Sequence, residues 1–274
     1  LDHFGYSVAL TADGSRTLVG AWMDDTPAGV DAGSARVFLR TGAAWSEETT
    51  LLAAVPGLGD TFGASVGLTA AGSRALGGGW GAAPTGGTDA GSAVVFRRAV
   101  TTWTAEATLV AADGASTDVF GNAVALSGDG TRAIVAAALD DTPRGMDSGS
   151  ARIFVRAGTV WTAETTLFSV SGAPNDTLGD GVALTNDGSM AVVGASYVDT
   201  AGLSNSGAAV AFLRAASTWT EAYTFRMTSP ATTDQFGISI GLASDGSRVV
   251  IGAYRDDTPA GADAGSATVF RLAP

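Results

Sequence analysis

Phe4-Gly5-Tyr6-Ser7-Val8-Ala9-Leu10 decides how this chain is read, because its opening pair returns as Phe62-Gly63, Phe120-Gly121 and Phe236-Gly237, with Leu178-Gly179 as a variant. Each copy begins 58 residues after the last, without one insertion or deletion. A fixed period of this kind marks a repeat architecture, in which units too small to bury both of their faces stack on their neighbours.

Outward from that stretch, every repeat shows the same short strand candidates separated by turn residues, a pattern of small antiparallel sheets. The first strand ends at Asp13-Gly14, a pair suited to a hairpin turn because glycine accepts positive φ and aspartate caps its own backbone. The turn recurs as Asp129-Gly130, Asp187-Gly188 and Asp245-Gly246, with Ala71-Gly72 departing. The second strand, Thr17-Leu18-Val19-Gly20-Ala21, is apolar on both faces, as expected of a strand sandwiched between sheets. A loop from Met23 to Gly33 leads to the third strand, Ser34 to Arg40, whose Phe38 recurs as Phe96, Phe154, Phe212 and Phe270. Tryptophan opens the fourth strand at Trp45, Trp103, Trp161 and Trp219, and no such strand follows the fifth repeat.

These counts predict an all-β fold, a β-propeller of five 58-residue blades, each a four-stranded antiparallel sheet, the last blade lacking its outer fourth strand. The expected blades span about residues 1–58, 59–116, 117–174, 175–232 and 233–274. Linear stacking is the alternative, although solenoid repeats are usually shorter, roughly 20 to 47 residues.

Composition narrows the function. The chain of 274 residues has no cysteine and a single histidine, His3, so Cys/His metal sites and Cys- or His-assisted nucleophilic catalysis are excluded. All fifteen basic residues are arginine and the net charge is −12, which argues against nucleic-acid and anionic-membrane partners. The longest apolar runs, such as Ala133 to Leu139, fall far short of the roughly 20 residues a spanning helix needs, so no membrane insertion is expected. The opening Leu1-Asp2-His3 reads as a mature or excised segment.

With Phe-Gly in the first strand, Val-Gly-Ala in the second, Gly-Ser-Ala-x-Val-Phe in the third and Trp-Thr-x-Glu in the fourth, the chain resembles the FG-GAP repeat over essentially its whole length. That repeat builds the propeller head of integrin α-chains and occurs in many extracellular bacterial proteins. The resemblance implies an extracellular or cell-surface location, a Phe-Gly strand nearest the central channel and a fourth strand on the outer rim. Two departures stand out. The calcium loop that integrin-type repeats carry between the first two strands is replaced here by the short Thr-Ala-Asp-Gly-Ser turn, too poor in oxygen ligands for calcium. Integrin propellers also have seven repeats, so five imply either a smaller closed ring or a partial ring completed by something else.

The most suggestive polar cluster is the loop after the second strand. Asp24, Asp25 and Asp31 in the first repeat, Asp140, Asp141 and Asp147 in the third, and Asp256, Asp257 and Asp263 in the fifth place three carboxylates around a Pro/Gly bend, a set able to hold Ca²⁺ or to cap loop backbone. The second copy loses both leading acids, and the fourth keeps Asp199 with Asn205. Asp2, Asp60, Asp118, Asp176 and Asp234 precede each Phe-Gly or Leu-Gly pair with one residue between, and five equivalent copies suit a turn cap better than a catalytic acid. The four fourth-strand tryptophans read as packing anchors between blades rather than sugar platforms. Trp22, Trp80 and Tyr254 follow the second strand, where loops on a rigid scaffold carry binding residues. Asn175-Asp176-Thr177 is a glycosylation sequon.

No unique acid, base or nucleophile emerges. The expectation is therefore a non-enzymatic extracellular adhesion, scaffold or assembly module acting through a protein partner or self-assembly. Its open edge would be Thr268-Val269-Phe270-Arg271, a strand left without a neighbour. The alternative is a lectin-like, carbohydrate-binding propeller, calcium-dependent or not, that uses the loop aromatics and aspartates.

Overall fold

The computed structural model describes residues 1–53, 57–84 and 87–272. Thr85 and Gly86 of the second loop, and the closing Pro274, lie outside the described residues.

Among the described residues nineteen strands form five antiparallel sheets, as the periodicity predicts. Blade 1 holds β1 (Phe4–Leu10), β2 (Arg16–Ala21), β3 (Ser34–Thr41) and β4 (Ala44–Leu51); blade 2 holds β5 (Ser65–Leu68), β6 (Arg74–Gly79), β7 (Ser92–Ala99) and β8 (Thr102–Leu109). Blade 3 holds β9 (Val124–Leu126), β10 (Arg132–Ala137), β11 (Ser150–Ala157) and β12 (Val160–Leu167); blade 4 holds β13 (Leu178–Leu184), β14 (Met190–Ala195), β15 (Ala208–Ala215) and β16 (Thr218–Phe225). Blade 5 has three strands, β17 (Phe236–Leu242), β18 (Arg248–Ala253) and β19 (Ser266–Arg271).

The Asp-Gly turns form for the reason their chemistry suggests. Asp13 Oδ1 accepts from the Ser15 amide at 2.9 Å and the Thr11 hydroxyl at 2.8 Å, while Gly14 takes φ +63°. Those hydrogen bonds lower the Asp13 pKa to about 2. Asp129, Asp187 and Asp245 repeat the cap.

The Phe-Gly stretch is less regular than a plain strand. The residue before the Phe or Leu and the glycine after it are both left-handed, for example Val119 at φ +56° and Gly121 at φ +96°. In blades 2 and 3 the first strand is shorter than the seven residues expected, starting at Ser65 and Val124, whereas in blades 1, 4 and 5 it starts at the Phe or Leu and carries a register shift. The Phe62 amide donates to the Ala32 carbonyl of blade 1 at 3.1 Å, and the Phe120 amide to Ala90 of blade 2 at 3.1 Å. The same bonds join Leu178 to Ser148 and Phe236 to Ser206. Blades 2 to 5 thus each thread the start of the first strand against the loop that follows the second strand of the blade before.

First strands pack on one another around the ring, β1 on β5, β5 on β9, β9 on β13 and β13 on β17. Each interface between blades, or seam, buries an apolar cluster; the first joins Leu18, Val37 and Leu51 to Phe62, Val66 and Phe96. Burying one such phenylalanine contributes about 2–3 kcal/mol. Among the described residues no comparable packing joins β17 to β1. Phe4 is consequently 54% exposed where Phe62, Phe120 and Phe236 are 2%, 1% and 1% exposed, and Tyr6, Val8 and Leu10 beside it are also exposed.

Candidate functional site

The acidic loops are built around their backbone. Asp25, Asp141, Asp199 and Asp257 each accept the amide of the residue six positions on, at 2.9–3.0 Å. That residue, Asp31, Asp147, Asn205 or Asp263, lies at φ +49° to +53°, a conformation that Asp and Asn tolerate better than most. Asp24 Oδ2 takes the Ser34 hydroxyl at 2.6 Å and Asp140 Oδ2 the Ser150 hydroxyl at 2.5 Å. Burial raises the Asp140 pKa. Among the described residues no three His, Asp or Glu side chains converge on a point where an ion would sit.

The aspartates before the Phe-Gly pairs are caps. Asp118 Oδ2 accepts the Ala115 amide at 2.6 Å and Asp176 Oδ2 the Ala173 amide at 2.7 Å, with Asp60 and Asp234 holding Gly57 and Ala231 in the same way. Desolvation raises the pKa of Asp60, Asp118 and Asp176.

The loop aromatics divide. Trp22 and Trp80 lie 6.0 Å apart, centroid to centroid, with Tyr6 and His3 against Trp22, whose buried Nε1 has no acceptor among the described residues. Tyr254 stands apart and exposed, with Arg255 over its ring at 5.6 Å.

Trp80 also walls a cavity of about 600 Å³ that spans blades 2 to 4, lined further by Val119, Asn122, Ala138, Asp180 and Tyr197. Asp180 and Asn122 were not singled out by the sequence reading. They occupy the position two after the Phe or Leu, which is Tyr6, Ala64 and Ile238 elsewhere, and this break in the repeat is the signal that could have found them. Asn122 Nδ2 donates to the Gly179 carbonyl at 2.9 Å and its Oδ1 accepts the Ala138 amide at 3.3 Å, fixing the seam of blades 3 and 4. Asp180 Oδ2 accepts the Thr177 hydroxyl at 2.7 Å, the Ser196 hydroxyl at 2.5 Å and the Ser196 amide at 3.1 Å. Burial raises its pKa. Asn175, the sequon asparagine, is exposed and lines the same cavity.

Three of the four fourth-strand tryptophans, Trp103, Trp161 and Trp219, sit in the seams and carry a polar link as well, while Trp45 does not. Arg74 binds Glu106 through Nε and Nη2 at 2.8 and 2.9 Å, and Trp161 of the next blade donates to the same carboxylate at 2.8 Å. Arg16-Glu48-Trp103 and Arg132-Glu164-Trp219 repeat the link. Burial opposes ionisation of these three glutamates, but the hydrogen bonds from arginine and tryptophan outweigh it and hold their pKa values below the usual range. In blade 4 the arginine and glutamate are replaced by Met190 and Ala222. At the two ends the link is unmatched among the described residues: Trp45 is 45% exposed without a carboxylate, and Arg248 is exposed without an ion pair. β19, carrying Thr268, Val269, Phe270 and Arg271, pairs with β18 on one side only.

Comparison with known proteins places this geometry. The family model described as the FG-GAP repeat matches residues 1–38, 103–154, 161–212 and 219–270. No curated protein sequence matches the chain. A solved structure, that of a Bacteroides uniformis ATCC 8492 protein provisionally named a 6-phosphogluconolactonase, superposes with a TM-score of 0.61 at 13% identity, over 98% of this chain and 68% of that one. At that identity the likeness is one of fold.

Proposed function

The chain belongs to the FG-GAP repeat family, and on that premise we propose that it is a non-enzymatic module of an extracellular or cell-surface protein, serving adhesion, scaffolding or assembly through protein–protein contacts. One observation carries this reading: the contacts that join every interior seam are left half-made on both end blades. Blade 1 presents Phe4, Tyr6, Val8, Leu10 and Trp45, and blade 5 presents the open edge of β19, exposed Val269 and the free guanidinium of Arg248. Unpaired edges and contiguous apolar faces favour docking. Sedimentation velocity over a range of concentrations tests it. Concentration-dependent association that Val8→Glu or Val269→Lys weakens is expected, and a monodisperse monomer at high concentration overturns the reading.

An enzyme acting on a phosphorylated lactone, as the name of the Bacteroides uniformis protein suggests for that protein, would draw on cations to hold the phosphate. The described lining of the cavity offers carboxylates, amides and aromatic rings, with neither Arg nor His. The cavity supports a second reading, ligand binding on the blade 2–4 surface.

A further inference from the structure

We propose that the cavity at the ends of β6, β10 and β14 binds a neutral saccharide of one or two rings. The proposal rests on the ligand-binding reading and is independent of assembly at the end blades.

Size gives the first argument. About 600 Å³ falls within the roughly 300–1,000 Å³ of small-molecule pockets and is far more than an inorganic ion or a lone ammonium group would fill. The walls give the second. Trp80 from blade 2 and Tyr197 from blade 4 bring aromatic rings from two sides, and Val119, Ala138 and Leu139 add apolar surface between them. A pyranose has apolar C–H faces suited to such rings and a rim of hydroxyl donors.

The third argument is Asp180. Three donors hold Oδ2 in place, while Oδ1 has no donor among the described residues, so the side chain is a fixed acceptor whose spare oxygen belongs to the cavity it lines. Blades 2 and 5 manage with Ala64 and Ile238 at this position, so the fold itself does not call for a carboxyl group there. Oδ1 stays accessible rather than buried, so it is open to pair with a ligand hydroxyl. The sign of the charge gives the fourth argument. Asp147 and Asp180 line the cavity, and no basic side chain is among the described lining, so uronates and sugar phosphates are repelled.

The test is titration of the intact chain with glucose, galactose, mannose, N-acetylglucosamine, lactose and cellobiose, with glucuronate and glucose 6-phosphate as anions and choline and arginine as cations. Heat and tryptophan fluorescence are followed, since Trp80 lies in the wall. Saturable binding of at least one neutral sugar, and of neither anion, is expected. Asp180→Asn keeps an oxygen on Thr177 and Ser196 and turns an NH₂ toward the cavity, so it should weaken binding by about tenfold or more. Tyr197→Ala, at an exposed side chain, should weaken binding without shifting the melting temperature, and Val160→Lys, exposed on β12 and outside the cavity, should leave binding unchanged. Saturation by choline or arginine alone overturns the saccharide class while leaving ligand binding standing. No saturable response to any probe overturns both, and sugar binding indifferent to Asp180→Asn and Tyr197→Ala overturns the placement.

Discussion

The indole Nε1 of Trp161 donates to Glu106 Oε1 at 2.8 Å across the seam of blades 2 and 3. Glu106 also neutralises Arg74, and its side chain is only 3% exposed. Truncation by Glu106→Ala leaves the Arg74 guanidinium buried and unpaired and should cost about 3–5 kcal/mol. Trp161→Phe keeps the ring and removes the donor, for about 1–2 kcal/mol. The double change Arg74→Met with Glu106→Ala reproduces what blade 4 carries at Met190 and Ala222, and should return to within about 1–2 kcal/mol of the parent. Urea unfolding measures all three. A double variant as unstable as Glu106→Ala would mean that the carboxylate acts through Trp161 and not through the ion pair.

Asp118 makes a pH-dependent prediction of the opposite sign. Burial raises its folded-state pKa above the ordinary value of 3.8. The folded protein therefore binds this proton more tightly than the unfolded chain, and stability is lost as pH rises from about 3.8 through the folded value. Asp118→Asn still accepts the Ala115 amide but carries no charge. Its melting temperature should exceed the parent's at neutral pH, and the gain should vanish in acid well below the ordinary aspartate range. Glu106 behaves in reverse: its pKa is lowered, so its contribution is present at neutral pH and fades as pH falls through that lowered value.

Sheet order and strand number were legible because a fixed 58-residue period with Asp-Gly turns dictates local backbone geometry, whereas the inner position of the Phe-Gly strand came from the resemblance to the FG-GAP repeat. The bonds that Phe62, Phe120, Leu178 and Phe236 make to a preceding blade were not legible, since strand periodicity reports only pairing within a sheet. The seam link was written in the recurrence of Arg16, Glu48 and Trp103, yet it has meaning only once Trp103 is known to lean on the blade before its own. Asp180 was missed for the same physical reason: Trp80, Asp180 and Tyr197 are far apart in sequence and meet only through blade stacking. In the acidic loops, the positive φ of Asp31, Asp147 and Asp263 supplies a backbone reason for an acid at each position, independent of any ion.

The loop acids accordingly separate under mutation. Asp141→Ala deletes the acceptor of the Asp147 amide and should cost about 1 kcal/mol. Asp147→Gly suits φ +49° and should be near neutral, whereas Asp147→Val should cost about 1–2 kcal/mol. Thermal melts in chelator and in millimolar calcium should coincide for the parent protein. A calcium-dependent rise that Asp141→Ala removes would show instead that these carboxylates hold an ion.

Gly121 and Gly5 stand at equivalent positions, at φ +96° and +93°, but among the described residues only Gly121 packs against another blade. A Cβ on Gly121 would lie 2.4 Å from the Ser92 carbonyl oxygen, whereas one on Gly5 meets nothing within 4 Å. Gly5→Ala should therefore cost only the left-handed penalty, about 1–2 kcal/mol. Gly121→Ala adds overpacking against blade 2 and should cost about 3–5 kcal/mol. Equal losses in denaturant unfolding would reduce the repeated glycine to a turn residue. The expected difference identifies it as the spacer that lets one blade's backbone close on the next.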